Sequence, residues 1–348
     1  MGLFASKNFS PDRDIPDLNG KVILVTGGNT GIGYGTVKHL ARKGAKVYMA
    51  ARNKGRAEAA VAKLQSEGLG PGNGKVVWLE LDLCDPRNSK KAAQEFMNKE
   101  DRLDILIHNA AVMVEPYEMY ADGIQKIMAV NLISPFVLTR DLLPILRKTA
   151  SHPESDVRII VVASEGHKLV SGKPRFQTIE DLNDECNDAW LPGFARYCQS
   201  KLTNVLYTTE LQRRLSSSGD PATSNITVLS IHPGVVNTVF ERPEVTRLHL
   251  STFVFLIGYP ISVVPDVGAY NSVFAAASPV VKRERERFGG GYIVSVGRLV
   301  SRGGGLWRLL FPGQGEEENE SEEKEWKWEE RGKELWETIE KFLEERGV

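Results

Sequence analysis

The chain has 348 residues, 41% of them hydrophobic, and a formal net charge of −1 at pH 7. This size and apolar content suffice for one large core, and the nearly balanced charge gives no indication of a nucleic-acid partner. The three cysteines, Cys84, Cys186 and Cys198, lie far apart and lack metal-ligand spacing, so we expect free thiols in a reducing compartment and no metal site. The N-terminus lacks an apolar secretory segment, which favours a cytoplasmic protein.

Residues 1–17 form a predicted N-terminal arm, which we interpret as a disordered lead-in to the first domain. Its start, Met1-Gly2 with Ser6, fits the loose N-myristoylation pattern. Because that pattern is short and chance matches are common, lipidation is the minority interpretation.

Residues 21–33 combine a strand, a glycine-rich turn and a helix start. The apolar run 22–25 is typical of a strand buried on both faces, and a helical stretch covers about 31–40. Backbone N–H groups at such a helix N-terminus, together with the helix dipole, attract a phosphate. The turn glycines permit tight turning and close approach. The stretch predicts dinucleotide binding through glycines with the spacing Gly27-x-x-x-Gly31-x-Gly33.

Strands and helices alternate along the rest of the chain, which predicts an α/β fold with a Rossmann-type, doubly wound parallel sheet in one domain. Ligands in such sheets bind beyond the C-terminal strand ends, and every motif below falls at one of those ends. The further predicted strands are 45–50, 76–82, 103–107, 158–163, 226–231 and 291–296. The further predicted helices are 54–67, 86–100, 123–148 and 197–215.

Tyr197 and Lys201 stand four residues apart at the start of a predicted helix, so their side chains share one face. A tyrosine with a pKa of about 10 is a poor acid–base catalyst at neutral pH. A neighbouring ammonium lowers that pKa, and a shift of ~2–3 units requires roughly 3–4 kcal/mol of differential stabilisation. Ser164 lies just past a predicted strand end, where its hydroxyl could hold a substrate oxygen. Asn131 sits within a predicted helix, where asparagine is a mediocre helix former.

Together these motifs resemble the classical short-chain dehydrogenase/reductase family over about residues 18–300. The stretches that begin at Tyr197 and at His232 resemble its retinol-dehydrogenase-like branch, including fungal members. The matching positions in family order are the glycine motif, Asp82, Asn109-Ala110, Asn131, Ser164, Tyr197, Lys201 and Pro233-Gly234.

The resemblance implies an NADP(H)-dependent oxidoreductase that interconverts an alcohol and an aldehyde or ketone, and it implies roles for single residues. Tyr197 donates or accepts the proton, while Lys201 lowers its pKa and binds the nicotinamide ribose. Ser164 orients the substrate oxygen, and Asn131 holds a water of the proton relay. The remaining positions implied to contact the cofactor are Gly27, Gly31, Ile32, Gly33, Asp82, Asn109, Val236 and Thr238.

Arg52 follows the second predicted strand, where the adenosine ribose should lie. NAD-specific enzymes usually place a carboxylate there, and positions 50–53 contain none. An arginine grips a phosphate through two N–H groups, so Arg52 predicts NADP rather than NAD. The alternative is an ordinary surface arginine at a strand end.

The sequence departs from the family pattern at three positions of the cofactor cleft. His108 and Ala111 replace the usual asparagine and glycine, and Ala163 replaces a frequent serine. We interpret His108 as a hydrogen-bonded structural residue rather than a catalyst. Two rival functions stay open: a catalytically silent NAD(P)-binding scaffold or sensor, and a sugar-nucleotide epimerase or dehydratase, whose glycine spacing usually differs.

Residues 248–264 are the most apolar stretch, within a predicted lid region 248–288. Because the stretch is shorter than a span of ~20 residues and is interrupted by Gly258 and Pro260, a lid over a lipophilic substrate is favoured. Such a substrate would be retinoid-, steroid- or secondary-metabolite-like. Attachment to a membrane surface is the alternative, and a homo-oligomer stays open.

The last segment, 301–348, is predicted to be a Gly-rich linker and an acidic amphipathic helix. Residues 316–348 contain 14 glutamates and six lysines or arginines. Leu335, Trp336, Ile339, Phe342 and Leu343 share one helical face. We therefore expect a helix docked on its own domain, with partner binding as the minority interpretation.

Overall fold

The computed structural model describes residues 9–70, 72, 74–120, 122–170, 172, 174–234, 264–300 and 327–348. Its strands are β1 (Val22–Thr26), β2 (Lys46–Ala51), β3 (Lys75–Glu80), β4 (Ile105–His108), β5 (Val157–Val162), β6 (Ile226–Ile231), β7 (Tyr292–Ser295) and β8 (Arg298–Val300). They form one sheet in the order β3-β2-β1-β4-β5-β6-β7-β8. All neighbours pair in parallel except β7 and β8, so the predicted doubly wound α/β fold is confirmed.

Helices cover both faces of the sheet, and they bury alternate side chains of each strand. In β1, Leu24 belongs to the apolar cluster on one face, whereas Ile23 and Val25 belong to the cluster on the other. The helices are α1 (Pro11–Asp14), α2 (Gly31–Arg42), α3 (Lys54–Glu67), α4 (Pro86–Lys99), α5 (Lys126–Ala150), α6 (Ile179–Leu182), α7 (Pro192–Ser216), α8 (Pro221–Ser224), α9 (Pro265–Gly268), α10 (Tyr270–Ala277), α11 (Pro279–Arg283), α12 (Arg285–Phe288) and α13 (Trp328–Glu344).

Helix α5 contains a π-helical turn at residues 129–133, which the sequence pattern did not predict. The turn centres on Asn131, and π turns inside α-helices occur often at functional sites. Within the described part of the chain, α5 is also the one helix long and apolar enough to cross a membrane by composition. However, 78% of its most apolar window is buried inside the protein, as in a core helix.

Two predicted boundaries beside the site motifs are wrong. Strand β3 ends at Glu80, so Asp82 lies two residues beyond it rather than at its end. Helix α7 begins at Pro192 rather than Tyr197, since proline is well suited to a first helical turn. Tyr197 therefore lies in the second turn of the helix and not at its start. The short antiparallel strand β8 was not predicted.

The two ends of the described chain pack on the core. Pro11 and Ile15 of the arm are buried, so this part of the arm is ordered, contrary to expectation. Helix α13 buries Leu335, Ile339 and Phe342 in the larger apolar cluster, as predicted for a helix docked on its own domain. The apolar stretch 248–263 and most of the linker lie outside the described residues.

Candidate active site

The glycine-rich turn between β1 and α2 depends on backbone conformations and contacts that exclude side chains. Gly27 and Gly31 have φ values of +65° and +56°, in the left-handed region that favours glycine. A Cβ atom at Gly33 would lie 2.2 Å from the carbonyl oxygen of Gly27 and 2.5 Å from the Asn109 amide nitrogen. The start of α2, including Ile32, therefore rests directly on the turn, with the N–H groups of its first turn at the C-terminal edge of the sheet. This cradle fits a dinucleotide phosphate.

Asn109 braces the ends of β1 and β4 from beneath this turn. Its side-chain amide donates to the carbonyl oxygens of Thr26 (3.0 Å) and Gly27 (3.2 Å). The Thr26 hydroxyl in turn accepts hydrogen bonds from the backbone N–H groups of Asn109 and Ala110, both at 3.0 Å. Thr26, the last residue of β1 and the one directly before the glycine motif, was not predicted as a site residue, and these contacts add it to the site.

Arg52 and Asp82 lie at the same edge of the sheet, beyond the neighbouring strands β2 and β3. Arg52 is exposed, and it makes no ion pair with any residue that the structure describes. Asp82 is half-buried, and one of its carboxylate oxygens accepts from the backbone N–H of Cys84 at 3.1 Å. The carboxylate that would oppose a phosphate near Arg52 is absent from the end of β2, which reads Ala50-Ala51.

Lys201 is buried beneath the ring of Tyr197. Its side-chain nitrogen lies 5.7 Å from the centroid of that ring and donates to the carbonyl oxygen of Val162 at 2.8 Å. A second, longer contact of 3.3 Å reaches the side-chain oxygen of Asn204. Burial lowers the pKa of Lys201 to about 7, because the ammonium loses its hydration. At neutral pH its charged form is therefore less favoured than that of an exposed lysine.

Ser164 and Tyr197 flank the same glycine, Gly166. The Ser164 hydroxyl accepts from the Gly166 backbone N–H at 3.1 Å. A Cβ atom at Gly166 would lie 3.4 Å from that hydroxyl oxygen and 3.7 Å from Cε1 of Tyr197. The structure thus brings the predicted serine and tyrosine together across a residue that sequence reasoning did not single out.

Asn131 links helix α7 to the loop after β4. Its side-chain oxygen accepts from the Val112 N–H, and its amide donates to the Val112 carbonyl and to the Ser200 hydroxyl, all at 2.9 Å. Its own carbonyl accepts from the Asn204 amide at 2.7 Å. Pro135, four residues on, has no N–H for that carbonyl, so Asn204 replaces the missing helical donor. A chain of contacts therefore runs from Asn131 through Asn204 to Lys201.

Comparison with known proteins agrees with this geometry. A family model described as short chain dehydrogenase matches residues 21–172. A short-chain dehydrogenase/reductase of Armillaria gallica is 40% identical over 293 residues, which cover 84% of this chain and 89% of that protein. The chain belongs to the short-chain dehydrogenase/reductase family.

Two further relatives sharpen this assignment. Retinol dehydrogenase 14 of Mus musculus is 37% identical over 280 residues, 78% of each chain, so the predicted resemblance to the retinol-dehydrogenase-like branch is confirmed. A crystal structure of an uncharacterized protein from Mycobacterium paratuberculosis covers 97% of both chains with a TM-score of 0.65 and 27% identity. As a short-chain dehydrogenase/reductase, the chain is a nicotinamide-dependent oxidoreductase that acts on small alcohols or carbonyl compounds.

His108 is one of the positions at which this short-chain dehydrogenase/reductase departs from the family pattern, and its contacts are those of a structural residue. The His108 ring is buried, with Nε2 at 2.7 Å from the Thr139 hydroxyl. Burial lowers the pKa of His108 to about 3, so the ring is neutral throughout the physiological range. Val236 and Thr238, the two positions predicted beside the nicotinamide, lie outside the described residues.

Proposed function

We propose that this chain is an NADP(H)-dependent enzyme that interconverts an alcohol and an aldehyde or ketone on a small lipophilic substrate. The observation that carries this proposal is the buried Lys201 beneath Tyr197, with Ser164 on the other side of Gly166. These groups can hold a substrate oxygen and move one proton to or from it.

In this proposal Tyr197 is the proton donor in reduction and the acceptor in oxidation, and Ser164 donates a hydrogen bond to the substrate oxygen. When bound, the nicotinamide supplies or accepts the hydride. The Lys201 ammonium favours the phenolate of Tyr197 because the lysine is buried and its nitrogen lies 5.7 Å from the centroid of the phenol ring. With its pKa lowered to about 7, Lys201 can also pass a proton onward at neutral pH.

Asn131 is assigned to the proton path rather than to the substrate. Both N–H groups of its side-chain amide and one lone pair of its side-chain oxygen are bonded to Val112 and Ser200, so we assign it a positioning role. A carbonyl oxygen has two lone pairs, and Asn204 takes one of those on the Asn131 carbonyl. The second is available to a relay water, which would extend the path from Lys201.

The choice of NADP rests on Arg52. The glycine turn, with its positive φ values and the close packing of Gly33, fits the pyrophosphate of either nicotinamide cofactor. Arg52 is exposed and makes no ion pair with any residue that the structure describes, and such an arginine favours a 2′-phosphate at the end of β2. Asp82 is assigned to the adenine, across the neighbouring strand end.

The lipophilic substrate rests on three observations. The mouse relative is named for retinol, a lipophilic alcohol, and residues 248–264 are rich in apolar side chains. Phe194, half-buried in the first turn of α7, lies alongside Tyr197 with 6.2 Å between the ring centroids and 28° between the ring planes. An apolar ring beside the phenol suits a substrate whose carbonyl carries an apolar group.

The test is a panel of lipophilic aldehydes and ketones with NADPH, read by the loss of nicotinamide absorbance. Tyr197→Phe should lower kcat by ~10²–10⁴-fold, while NADPH titration should give nearly the wild-type Kd. A Tyr197→Phe enzyme with normal turnover would refute the catalytic assignment. Binding of NADPH without turnover of any compound by the wild type would instead favour a catalytically silent cofactor-binding protein.

A further inference from the structure

Residues 165–195, which we call the insert, join the two proposed catalytic side chains. The insert begins directly after Ser164 at the end of β5 and leads into α7, which carries Tyr197. It contains a 3₁₀ turn at Glu165–Leu169 and the short helix α6. Contacts that fix the insert therefore also affect the positions of Ser164 and Tyr197 relative to each other.

The inner side of the insert is held by the loop between β4 and α5. The Gln125 amide donates to the Leu182 carbonyl at 2.5 Å, and the Asn183 amide donates to the Gly123 carbonyl at 2.8 Å. Near the start of α7, the buried Arg196 donates to the carbonyls of Glu185 (2.8 Å) and Glu115 (2.9 Å). These bonds attach the insert to the segment that follows the cofactor cleft.

The outer side of the insert is held by the C-terminal helix α13. Phe176 is fully buried in the same apolar cluster as α13. The Thr338 hydroxyl donates to the Phe176 carbonyl oxygen at 2.7 Å, a buried bond between residues 162 positions apart. The side-chain amide of the next residue, Gln177, donates to the Glu334 carboxylate at 2.6 Å. Two successive residues of the insert are thus bonded to two side chains one turn apart on α13.

Helix α13 is anchored to the core without the insert. Trp336 lies against Phe136 of α5, with ring centroids 4.7 Å apart, and stacks on Tyr207 of α7 at 6.0 Å. The guanidinium of Arg214 lies 4.5 Å from the centroid of the Trp336 ring. At the far end, Arg346 donates to the carbonyl of Asp122 at 2.6 Å. Because α13 is fixed on both sides of Thr338, it can serve as a rigid support for the insert.

We propose that α13 is a positioning element of the active site, acting through Thr338 and Glu334 on the insert. This proposal rests on the proposed function in one respect: the roles of Ser164 and Tyr197 make the insert part of the substrate side. Neither residue of α13 touches the reacting groups. Thr338 holds the backbone of Phe176 and Glu334 holds the side chain of Gln177, and through these two residues they keep the insert in one place.

The experiment is amide hydrogen exchange of Thr338→Val and Glu334→Ala, followed by mass spectrometry. Valine keeps the volume of threonine and removes the donor. Exchange in peptides covering 174–190 should rise about fivefold, as for one lost hydrogen bond. Exchange in β1 and β4 and the Kd for NADPH should stay at wild-type values. The matched control is Glu337→Gln, an exposed residue of the same helix, which should change nothing.

Catalysis gives the second readout. With any carbonyl compound of the panel that is turned over, the two variants should raise KM more than they lower kcat. Unchanged exchange at 174–190 in both variants would overturn the proposal, and so would an equal rise throughout the sheet, which indicates general destabilisation. Because hydrogen exchange requires no turnover, failure of the proposed reaction would be seen separately, in the Tyr197→Phe test.

Discussion

The glycine-rich turn at residues 26–33 and the insert at residues 165–195 border the same cleft but are fixed in different ways. The turn is fixed by backbone geometry: two positive φ values and a glycine that leaves no room for a Cβ atom. The insert is fixed by side chains of other segments, such as Gln125 and Thr338. The conformation of the turn therefore follows from its own sequence, whereas the conformation of the insert depends on segments elsewhere in the chain.

The strongest way to break the turn is Gly33→Ala. The added Cβ would meet backbone atoms of Gly27 at 2.2 Å, and backbone cannot move aside as a side chain does. We expect a loss beyond the usual ~1–3 kcal/mol of overpacking, with NADPH binding abolished. Thermal unfolding and NADPH titration measure both effects.

The control for this change is Gly55→Ala in the first turn of α3. Among the residues that the structure describes, a Cβ there meets only the Asn53 side chain, at 3.7 Å, so stability should stay the same or rise slightly. Equal losses in the two variants would contradict the steric explanation of the turn.

The support of the insert should break with Phe342→Ala in α13. Phe342 is buried in the larger apolar cluster, and the Arg346 guanidinium lies 3.9 Å from its ring centroid. Removing a buried phenylalanine ring typically costs about 3–5 kcal/mol, which denaturant unfolding would show. If α13 contributed nothing to the stability of the core, the denaturant midpoint of unfolding would stay at the wild-type value.

His108, at the end of β4 between the two regions, should make stability depend on pH. Its pKa is lowered to about 3 in the folded protein by burial, against ~6.5 when unfolded. Between these values the unfolded chain binds the extra proton, so stability falls as pH falls, by about 1.4 kcal/mol per pH unit.

His108→Asn removes that dependence. The difference in unfolding free energy between wild type and this variant should therefore shift by about 3 kcal/mol between pH 7 and pH 4, relative to its value at pH 7. Parallel pH profiles of the two proteins would show that the ring is hydrated and titrates normally.

The smallest expected effect concerns Arg52, which borders the turn but should act on one cofactor alone. A charge-assisted hydrogen bond is worth ~1.5–3 kcal/mol, so Arg52→Ala should weaken NADPH binding by roughly 10- to 150-fold. NADH lacks the 2′-phosphate and should bind nearly as before. A parallel loss for both cofactors would rule out phosphate recognition by this side chain.

The parts of the site that were predicted from the sequence are those whose geometry depends on residues close together in the chain. The spacing of Tyr197 and Lys201 on one helical face follows from helix periodicity, and the structure places the lysine beneath the phenol ring. Gly27 and Gly31 have the conformations that their residue type suggested. Gly166, Asn204 and Thr26 were missed because their roles consist of contacts with residues distant in sequence.

By itself, therefore, the sequence determined the order of strands and helices, the glycine turn and the identity of the proposed acid–base pair, because steric rules and hydrophobic periodicity act over a few neighbouring residues. Only the tertiary structure decided how those groups behave. Burial between β5 and α7 lowers the pKa of Lys201 to about 7, and Asn204 satisfies the carbonyl that Pro135 leaves without a donor. Helix α13 reaches the insert across 162 residues of chain. Desolvation and hydrogen bonding depend on which segments of the chain meet in space, and a local sequence pattern does not specify those tertiary contacts.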